Sequence, residues 1–445
     1  MVAGLLSEST SGDVQSAFLN GRNSYVMWGR FPRGMRRFTA DRVEIVQKIL
    51  GNLYGTTTAG KEWFEIFRKV MKWIGFNQVR GVQCWFVLSR GRNVMWVLVH
   101  VDDMAATGNN YVMGESIFGE MKGRFELKGP EPLISFTGMG VIERGDRLFI
   151  EGRAYVRDML VKYGYGDKET GKLHTEMQVK VPMLKDTFDE ESPRLENAVT
   201  CQAPLGELMY VALVFHDHIK TAVSRAARHM HDPRQQNMVW IDQIMRNLIY
   251  TFDYGVVCKR DPKFLVDPVV GVTSLSQDLI ETWADTSWIV PKSITGGLVF
   301  GFNMVILTIS CLQSVPANST QYSEYIGFGT MARHTMLARQ VTCDVFGITK
   351  YQLDPTMMHG DHLGCLRMVA EKMESSKLKH VDFACHDVRH FKEDKQIGVA
   401  EVDSLNNPAD MMTKALKAGD QLRHMLRFMC LIPRQQGLDF SIYGS

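Results

Sequence analysis

The sequence WVLVHVDDM at residues 96–104 places two adjacent aspartates, Asp102 and Asp103, after a run that is apolar except for His100. Apolar and β-branched residues over this length predict a strand, and an acidic pair directly after it predicts the tip of a hairpin. Adjacent carboxylates repel each other unless cations neutralise them, so such a pair is typical of a metal site. A solvated turn has the same composition, and the pair alone does not separate the two interpretations.

Two upstream segments bear on that choice. SGDVQSAFLNG at residues 11–21 begins a short apolar stretch with Asp13, and LYGTTTAGKEW occupies residues 53–63. Phosphoryl transfer by two metal ions requires at least one further carboxylate from a separate strand. Asp13 is therefore the candidate partner of Asp102, and the three segments together favour a metal site over a solvated turn.

In this order, the three segments resemble reverse transcriptases of copia-type retrotransposons, which carry patterns such as DVKxAFLNG, LYGLKQAPRxW and YVDDM. The resemblance implies that Asp13 and Asp102 bind a pair of Mg²⁺ or Mn²⁺ ions, with Asp103 beside them. It also implies that Phe18 occupies the position that excludes a ribose 2′-hydroxyl. Thr58 would occupy the nucleotide-binding position of a glutamine that helps to hold the templating base and the incoming nucleotide.

Several positions depart from the family patterns. His100 replaces a tyrosine, Thr58 replaces the glutamine, and Gly60 replaces a proline. The family also has a fingers region, which supplies a basic clamp over the triphosphate, ahead of the point at which this chain starts. We therefore expect a palm without fingers and inefficient polymerisation by this chain alone.

A second set of acidic residues lies downstream. The segments there resemble the connection and ribonuclease H regions of the same family: LGELMY at 205–210, AVSRAARHM at 222–230, WADTSW at 283–288, KSITG at 292–296, STQYSEY at 319–325, TCD at 342–344, KHVD at 379–382 and NPADMMTK at 407–414. Ribonuclease H chemistry uses two metals held by an aspartate on a strand, a glutamate on the first helix and two later aspartates. The resemblance therefore implies Asp285, Asp344 and Asp410 as catalytic, metal-binding residues.

The helix glutamate is the exception. Against the family pattern STTEAEY, Tyr322 stands at the position of the metal-binding glutamate. Glu324 lies two residues further on, about 200° around a helix, so it does not simply substitute. We therefore expect a lost ligand at Tyr322 and weak ribonuclease H activity.

The triplet His216, Asp217 and His218 replaces part of the family's connection pattern. A metal site and a turn between two helices both fit these residues. The turn is the preferred interpretation, because no further candidate ligand is close in sequence.

Composition is that of a globular protein, with 45% hydrophobic and 22% charged residues and a net charge of +2. Residues 1–130 carry 17 Lys and Arg against 11 Asp and Glu, which suits contact with a phosphate backbone but also fits ordinary surface scatter. Residues 293–323 are uncharged, yet glycines and polar residues interrupt them. We predict two strands around a turn at 301–303 rather than a membrane span. The eight cysteines form no CxxC pair, which favours a reducing intracellular setting.

We therefore predict an α+β and α/β architecture, with a partial reverse transcriptase palm and thumb-like region followed by a ribonuclease H-like α/β domain. The expected ranges are 1–163 for the palm without fingers, 164–200 for a linker, 201–265 for thumb or connection helices, 266–433 for the ribonuclease H-like domain and 434–445 for a tail.

The resemblance also implies the partners. They are an RNA template, a DNA primer, an RNA–DNA hybrid and deoxynucleoside triphosphates, with protease and integrase parts if the element is intact. The expected location is a cytoplasmic particle or the nucleus. The alternative is a retroelement remnant that keeps a nucleic-acid-binding fold without turnover, and an unrelated two-metal hydrolase is the least favoured interpretation.

Overall fold

The computed structural model describes residues 8–91, 93–183, 188–259, 279–289, 291–370, 383–416 and 419–438. These residues fall into two compact units, one extending to Thr137 and the other starting at Gly138. The division lies inside the range 1–163 that the sequence assigns to one palm domain. The domain ranges themselves stay predictions.

The first unit combines short strands with two helices. Its elements are β1 (Glu8–Val14), β2 (Arg22–Arg30), β3 (Val46–Gly51), α1 (Ala59–Ile74), β4 (Asn77–Gln78), β5 (Trp85–Arg90), β6 (Asn93–His100), β7 (Asp103–Gly108), α2 (Tyr111–Lys122), β8 (Leu127–Pro132) and β9 (Ser135–Phe136). Apolar residues recur in α1 at helical spacing, and Trp63, Phe67 and Met71 are buried. The helix ends at Gly75, whose φ of 109° favours glycine.

Six strands form an antiparallel sheet in the order β4-β5-β6-β7-β1-β8. Phe67 and Met71 of α1 and Ile117 and Met121 of α2 share a buried core with Val97 of β6. Strands β5 and β6 pair as an antiparallel hairpin. This sheet places the ends of β1 and β7 side by side.

The separate two-stranded sheet β2-β3 exposes large apolar side chains. Tyr25, Trp28 and Leu50 are between 61% and 74% exposed. Arg30 and Lys48 lie on the same two strands. The ribbon therefore combines aromatic and basic side chains on a solvent-facing surface.

The second unit contains the remaining elements. They are β10 (Met139–Arg144), β11 (Arg147–Glu151), α3 (Arg153–Lys162), α4 (Val199–Val214), α5 (Lys220–Ala227), α6 (Gln235–Tyr250), β12 (Tyr254–Lys259), β13 (Ile280–Ser287), β14 (Ile294–Gly301), β15 (Met304–Leu312), α7 (Thr320–Phe346), β16 (Thr356–Gly360), α8 (Leu363–Ala370), α9 (Phe383–Glu393), β17 (Ile397–Glu401), α10 (Asp420–Phe428), β18 (Leu431–Pro433) and α11 (Arg434–Leu438).

The helices α3 to α6 share one buried core, to which Leu160, Leu208 and Leu248 contribute. Strands β10, β11, β12 and β18 pair in that order, all antiparallel. Strand β18 comes from the C-terminal part of the chain, so this sheet joins distant parts of the sequence.

The strands β13 to β17 form a mixed sheet in the order β15-β14-β13-β16-β17. The first three strands in sequence are antiparallel, and β16 and β17 run parallel to β13. Helix α7 packs closely on this sheet at Gly327. A Cβ atom added there would lie only 2.3 Å from Cγ2 of Thr286, so a larger residue would clash. The predicted pair of strands around residues 301–303 is confirmed as β14 and β15.

None of the described helices combines the length and the apolarity that crossing a bilayer requires.

Candidate functional site

The three palm aspartates lie at one end of the first unit's sheet. Asp13 of β1 is the direct antiparallel partner of Asp103 of β7, so the two side chains share a face of the sheet. Asp102 lies in the two-residue turn between β6 and β7, and its carbonyl oxygen accepts a 3.0 Å hydrogen bond from the Val14 N–H. Strand register therefore makes these three residues neighbours.

The turn that carries Asp102 is held by helix α1. Val101 has a φ of 58°, which is an uncommon and strained conformation for a β-branched residue. The indole N–H of Trp63, a buried residue, donates a 2.6 Å hydrogen bond to the Val101 carbonyl. Trp63 also packs edge-on against Phe125. The aromatic core beneath the sheet thus fixes the turn.

The palm carboxylates do not form a tight cluster. Asp13 and Asp103 are half-buried and Asp102 is exposed. Among the described residues, one set of three carboxylate, His or Cys side chains has ligand atoms that all lie within 4.8 Å of one another. That set is not the palm set but lies in the second unit. A shared metal site at the palm stays a prediction.

The predicted nucleotide-binding residues lie on either side of a loop. Phe18 belongs to a 3-10 helix, Ala17–Asn20, and its ring lies 5.1 Å from that of Tyr54. Thr58 precedes the first residue of α1, and its carbonyl accepts a hydrogen bond from the Glu62 N–H. Their assignment to nucleotide binding stays a prediction.

The tight cluster lies in the second unit and consists of Asp285, Glu324 and Asp361. Asp285 is near the end of β13, and Asp361 directly follows β16. These strands are parallel neighbours with Trp283 opposite His359, so both aspartates, two residues further on, emerge at the same edge. Glu324 reaches them from the first turns of α7.

Asp410 completes the acidic set through a lysine. It lies in a 3-10 helix, Pro408–Met412, which is anchored by a 3.0 Å hydrogen bond from the Asn407 side chain to the Ala284 carbonyl. Nζ of Lys414 lies 2.7 Å from Oδ1 of Asp410 and 3.3 Å from Oδ2 of Asp285. The Thr413 hydroxyl also donates a hydrogen bond to Asp285. Asp285 and Asp410 therefore share one ammonium group.

The helical part of the second unit holds this segment in place. The Thr221 hydroxyl on α5 donates a 2.6 Å hydrogen bond to the Met411 carbonyl. Nη2 of Arg225, one turn further along α5, donates a 2.8 Å hydrogen bond to the Thr413 carbonyl. Both donors are buried. Helix α5 thus positions the residues that contact Asp285.

Burial dominates the electrostatics of the cluster. It raises the pKa of Glu324 to about 8 and that of Asp285 to about 6, and neighbouring carboxylates add to both shifts. Burial also raises the pKa of Asp410. For Lys414, burial lowers the pKa, but the negative charge of Asp285 and the hydrogen bond to Asp410 outweigh it and give a net rise.

The set therefore contains four carboxylates, Asp285, Glu324, Asp361 and Asp410, and one ammonium group, that of Lys414. Carboxylate oxygens in such a set are suitable ligands for Mg²⁺ or Mn²⁺. The residues therefore fit a divalent metal centre.

Two expectations from the sequence are wrong. Tyr322 does not mark a lost ligand, because Glu324 itself points into the cluster. Asp344 is not part of it, because residues 341–346 continue α7 and place Asp344 about 30 Å along the helix from Glu324. Asp344 instead accepts a hydrogen bond from Gln340.

Asp361 is the residue that the sequence analysis missed. Its signal was the same as for Asp102, a short strand followed directly by an aspartate. Asp285 and Asp410 lie together as expected, since Lys414 contacts both. The predicted KHVD segment, 379–382, lies outside the described residues.

The triplet at 216–218 forms a 3-10 helix, Asp217–Ile219, between α4 and α5, as the turn interpretation predicted. Both histidines are buried, and Nε2 of His218 lies 3.0 Å from Oδ1 of Asn247. Asp217 pairs with Lys220 and accepts a hydrogen bond from Thr308. The triplet therefore connects helices to the sheet.

Comparison with known proteins gives the family. Residues 10–177 match the model of the reverse transcriptase (RNA-dependent DNA polymerase) family. The chain is 25% identical over 409 residues to the retrovirus-related Pol polyprotein from transposon RE1 of Arabidopsis thaliana, covering 91% of this chain and 26% of that protein. The corresponding polyprotein from transposon RE2 of the same plant is 26% identical over the same shares.

A third relative is the retrovirus-related Pol polyprotein from transposon TNT 1-94 of Nicotiana tabacum. It is 24% identical, over 91% of this chain and 29% of that protein. The chain thus spans about a quarter of the length of the curated relatives it matches. The family match over the palm aspartates and the similarity along nearly the whole chain agree with the resemblance found in the sequence. The chain belongs to the copia-type retrotransposon Pol polyproteins, with a reverse transcriptase region at residues 10–177.

Proposed function

We propose that the C-terminal part of the chain, residues 266–433, is a ribonuclease H-like domain that hydrolyses the RNA strand of an RNA–DNA hybrid with two divalent metal ions. The observation that carries this proposal is the convergence of four carboxylates. Asp285 comes from a strand, Glu324 from the domain's first helix, and Asp361 and Asp410 follow later in the chain. This is the ligand set that two-metal hydrolysis of a phosphodiester requires.

Each residue has a separate task in this proposal. Asp285, buried and shared by both parts of the cluster, would bind both ions, with Glu324 and Asp361 on one and Asp410 on the other. The Thr413 hydroxyl and the Asn407 side chain hold Asp285 and its strand in a fixed orientation. When bound, the two ions would activate a water molecule and stabilise the charge that develops on the scissile phosphate.

We further propose that residues 10–177 contribute RNA-directed DNA synthesis from an RNA template, a DNA primer and deoxynucleoside triphosphates. The family match and the register that pairs Asp13 with Asp103 support this role. Asp13, Asp102 and Asp103 would bind the metal ions, and Phe18 and Thr58 would contact the nucleotide. Because Thr58 lacks the amide of the family's glutamine, we expect weak primer extension.

A second candidate function is nucleic-acid binding without turnover. The exposed ribbon β2-β3, with Tyr25, Trp28, Arg30 and Lys48, favours it, because aromatic and basic side chains together bind single strands by stacking and charge. The loose arrangement of the palm aspartates agrees with it. The acidic cluster of the second unit has no role in this second candidate function.

Cleavage of a labelled RNA–DNA hybrid tests the leading proposal. The full chain in Mg²⁺ or Mn²⁺ should cleave the RNA strand, and Asp285→Asn should abolish cleavage. Asp344→Asn is the matched control, because Asp344 is an aspartate of the same unit outside the cluster, and cleavage should persist. Absence of cleavage by the unsubstituted chain, with retained hybrid binding, would favour the second candidate.

A further inference from the structure

Lys414 lies inside the acidic cluster rather than at its rim. Its Nζ is 2.7 Å from Oδ1 of Asp410 and 3.3 and 3.4 Å from the two carboxylate oxygens of Asp285. The side chains of Asp285 and Asp410 are 2% and 8% exposed, whereas that of Lys414 is 40% exposed. The carboxylates are therefore fixed by their surroundings, and the ammonium has a route to solvent.

The ammonium lies between the two carboxylates that would also serve a divalent ion. Mg²⁺ binds carboxylate oxygens at about 2.1 Å. An ion bound at that distance to both Asp285 and Asp410 would meet the Lys414 ammonium at close range, and two cations so close repel each other. The ion and the ammonium therefore compete for the same two carboxylates.

The other three carboxylates are arranged differently. Asp285, Glu324 and Asp361 have ligand atoms mutually within 4.8 Å. The contacts of Lys414 are with Asp285 and Asp410. An ion among Asp285, Glu324 and Asp361 would therefore require no displacement of the lysine from Asp410.

We propose that Lys414 is a resident cation at the second metal position of the proposed ribonuclease H site, which the second divalent ion must displace. The inference rests on the proposed function in taking the cluster as a metal centre. Without metal, the ammonium offsets one of the two negative charges of Asp285 and Asp410 and keeps both side chains oriented. The first ion binds beside it, and the second binds more weakly because it competes with Lys414. The site thus holds one ion while the Lys414 side chain stays in place, and two ions once that side chain has moved.

The test is Mn²⁺ binding to the full chain, measured by calorimetry and by electron paramagnetic resonance of free Mn²⁺. All variants carry Asp13→Asn, Asp102→Asn and Asp103→Asn, so that the palm aspartates do not contribute. The starting protein should show one tight and one weak ion. In Lys414→Gln the weak ion should bind on the order of tenfold more tightly, with a much smaller change in the tight ion.

Two further variants separate displacement from net charge. Lys350→Gln is the matched control, because Lys350 pairs with Asp394 in the same unit and its loss changes the net charge equally. It should leave both ions unchanged. Lys414→Arg keeps the positive charge and should keep the second ion weak. Thermal unfolding in EDTA checks that each variant is folded.

Several outcomes would overturn the inference. If Lys414→Gln and Lys350→Gln raise the affinity for both ions equally, the effect is one of net charge alone. If the affinity for the second ion does not change in Lys414→Gln, Lys414 does not compete for that position. Asp285→Asn should abolish both ions. If it leaves Mn²⁺ binding intact, the metal centre and the proposed function fail together, whereas a second ion insensitive to Lys414 overturns this inference alone.

Discussion

The two acidic sets of this chain differ in how much protein surrounds them. Asp13 and Asp103 are half-buried at the end of a sheet, and Asp102 is exposed in a turn. In the C-terminal set Glu324 and Asp361 are also half-buried, but Asp285 is 2% exposed and contacts Lys414. Strand register makes the palm aspartates neighbours, but the fold assembles the C-terminal set together with its counter-ion. The difference indicates that strand register alone brings the palm aspartates together, whereas several surrounding side chains hold Asp285 and Asp410 in place.

The sharpest comparison uses two positions on α7 that lie two residues apart. We expect Glu324→Gln to lower cleavage of the hybrid by about a thousandfold. The substitution removes a ligand of the two proposed metal ions, which would stabilise the charge that develops on the phosphate. Tyr322→Phe should change cleavage by less than about twofold, since Tyr322 is not a member of the cluster. Initial rates on a labelled hybrid measure both. A large loss in Tyr322→Phe with a small one in Glu324→Gln would restore the alignment that the sequence alone suggested.

These two residues show where sequence reasoning reached its limit. The motifs predicted that Asp285 and Asp410 lie together, and Lys414 contacts both. Each aspartate stands next to residues that the resemblance fixes on both sides. Matching letters to STTEAEY could not locate the helix glutamate. Ser319 begins α7 by accepting a hydrogen bond from the Tyr322 N–H, which sets the helix rotation and turns Glu324 toward Asp285.

The error at Asp344 has a different cause. The local sequence TCD matched the ribonuclease H pattern, in which this aspartate ends a strand. Residues 341–346 instead continue a 27-residue helix, and the next strand comes later, at Thr356–Gly360. The length of α7 depends on its packing against the sheet, where Gly327 and Gly297 allow close approach to Thr286 and Met331. A single sequence does not reveal that packing.

The palm gives the next largest expected effect. Any primer extension by the unsubstituted chain should fall by about a hundredfold or more in Asp102→Asn, because one carboxylate of the metal pair is lost. The measurement is extension of a labelled primer on an RNA template with Mn²⁺. Asp41→Asn, an exposed aspartate of the same unit, is the control and should leave extension unchanged. Equal extension by Asp102→Asn and the unsubstituted chain would remove Asp102 from the polymerase site.

The pH dependence of stability separates the buried set from the palm set. Burial raises the pKa of Glu324 from 4.5 to about 8, so the folded state binds more protons than the unfolded state between these values. The free energy of unfolding in EDTA should therefore fall as pH rises from about 4.5 to about 8. In Glu324→Gln that fall should shrink by roughly 3.5 kcal/mol between pH 5 and pH 8.

Urea denaturation of the second unit at both pH values measures this change. Glu191→Gln is the control, because Glu191 is an exposed glutamate of the same unit. An identical pH slope in Glu324→Gln and in the unsubstituted chain would show that Glu324 is not buried beside other carboxylates.

The smallest expected effect concerns the support from α5. Thr221→Val removes the hydrogen bond to the Met411 carbonyl and should lower the free energy of unfolding by about 1 kcal/mol, with weaker Mn²⁺ binding. Thr200→Val removes a similar hydrogen bond, to the Asn197 carbonyl, at an exposed position of α4 and should leave Mn²⁺ binding unchanged. Denaturation and Mn²⁺ titration distinguish the two. Equal effects on Mn²⁺ binding would mean that α5 stabilises the unit without positioning Asp410.

The most direct test of the proposed metal centre is anomalous diffraction from crystals of the full chain soaked in Mn²⁺. We expect one anomalous peak among Asp285, Glu324 and Asp361, and a second between Asp285 and Asp410 with Lys414 moved toward solvent. Mn²⁺ bound by Asp344, or bound ions that none of Asp285, Glu324 and Asp361 contacts, would contradict it.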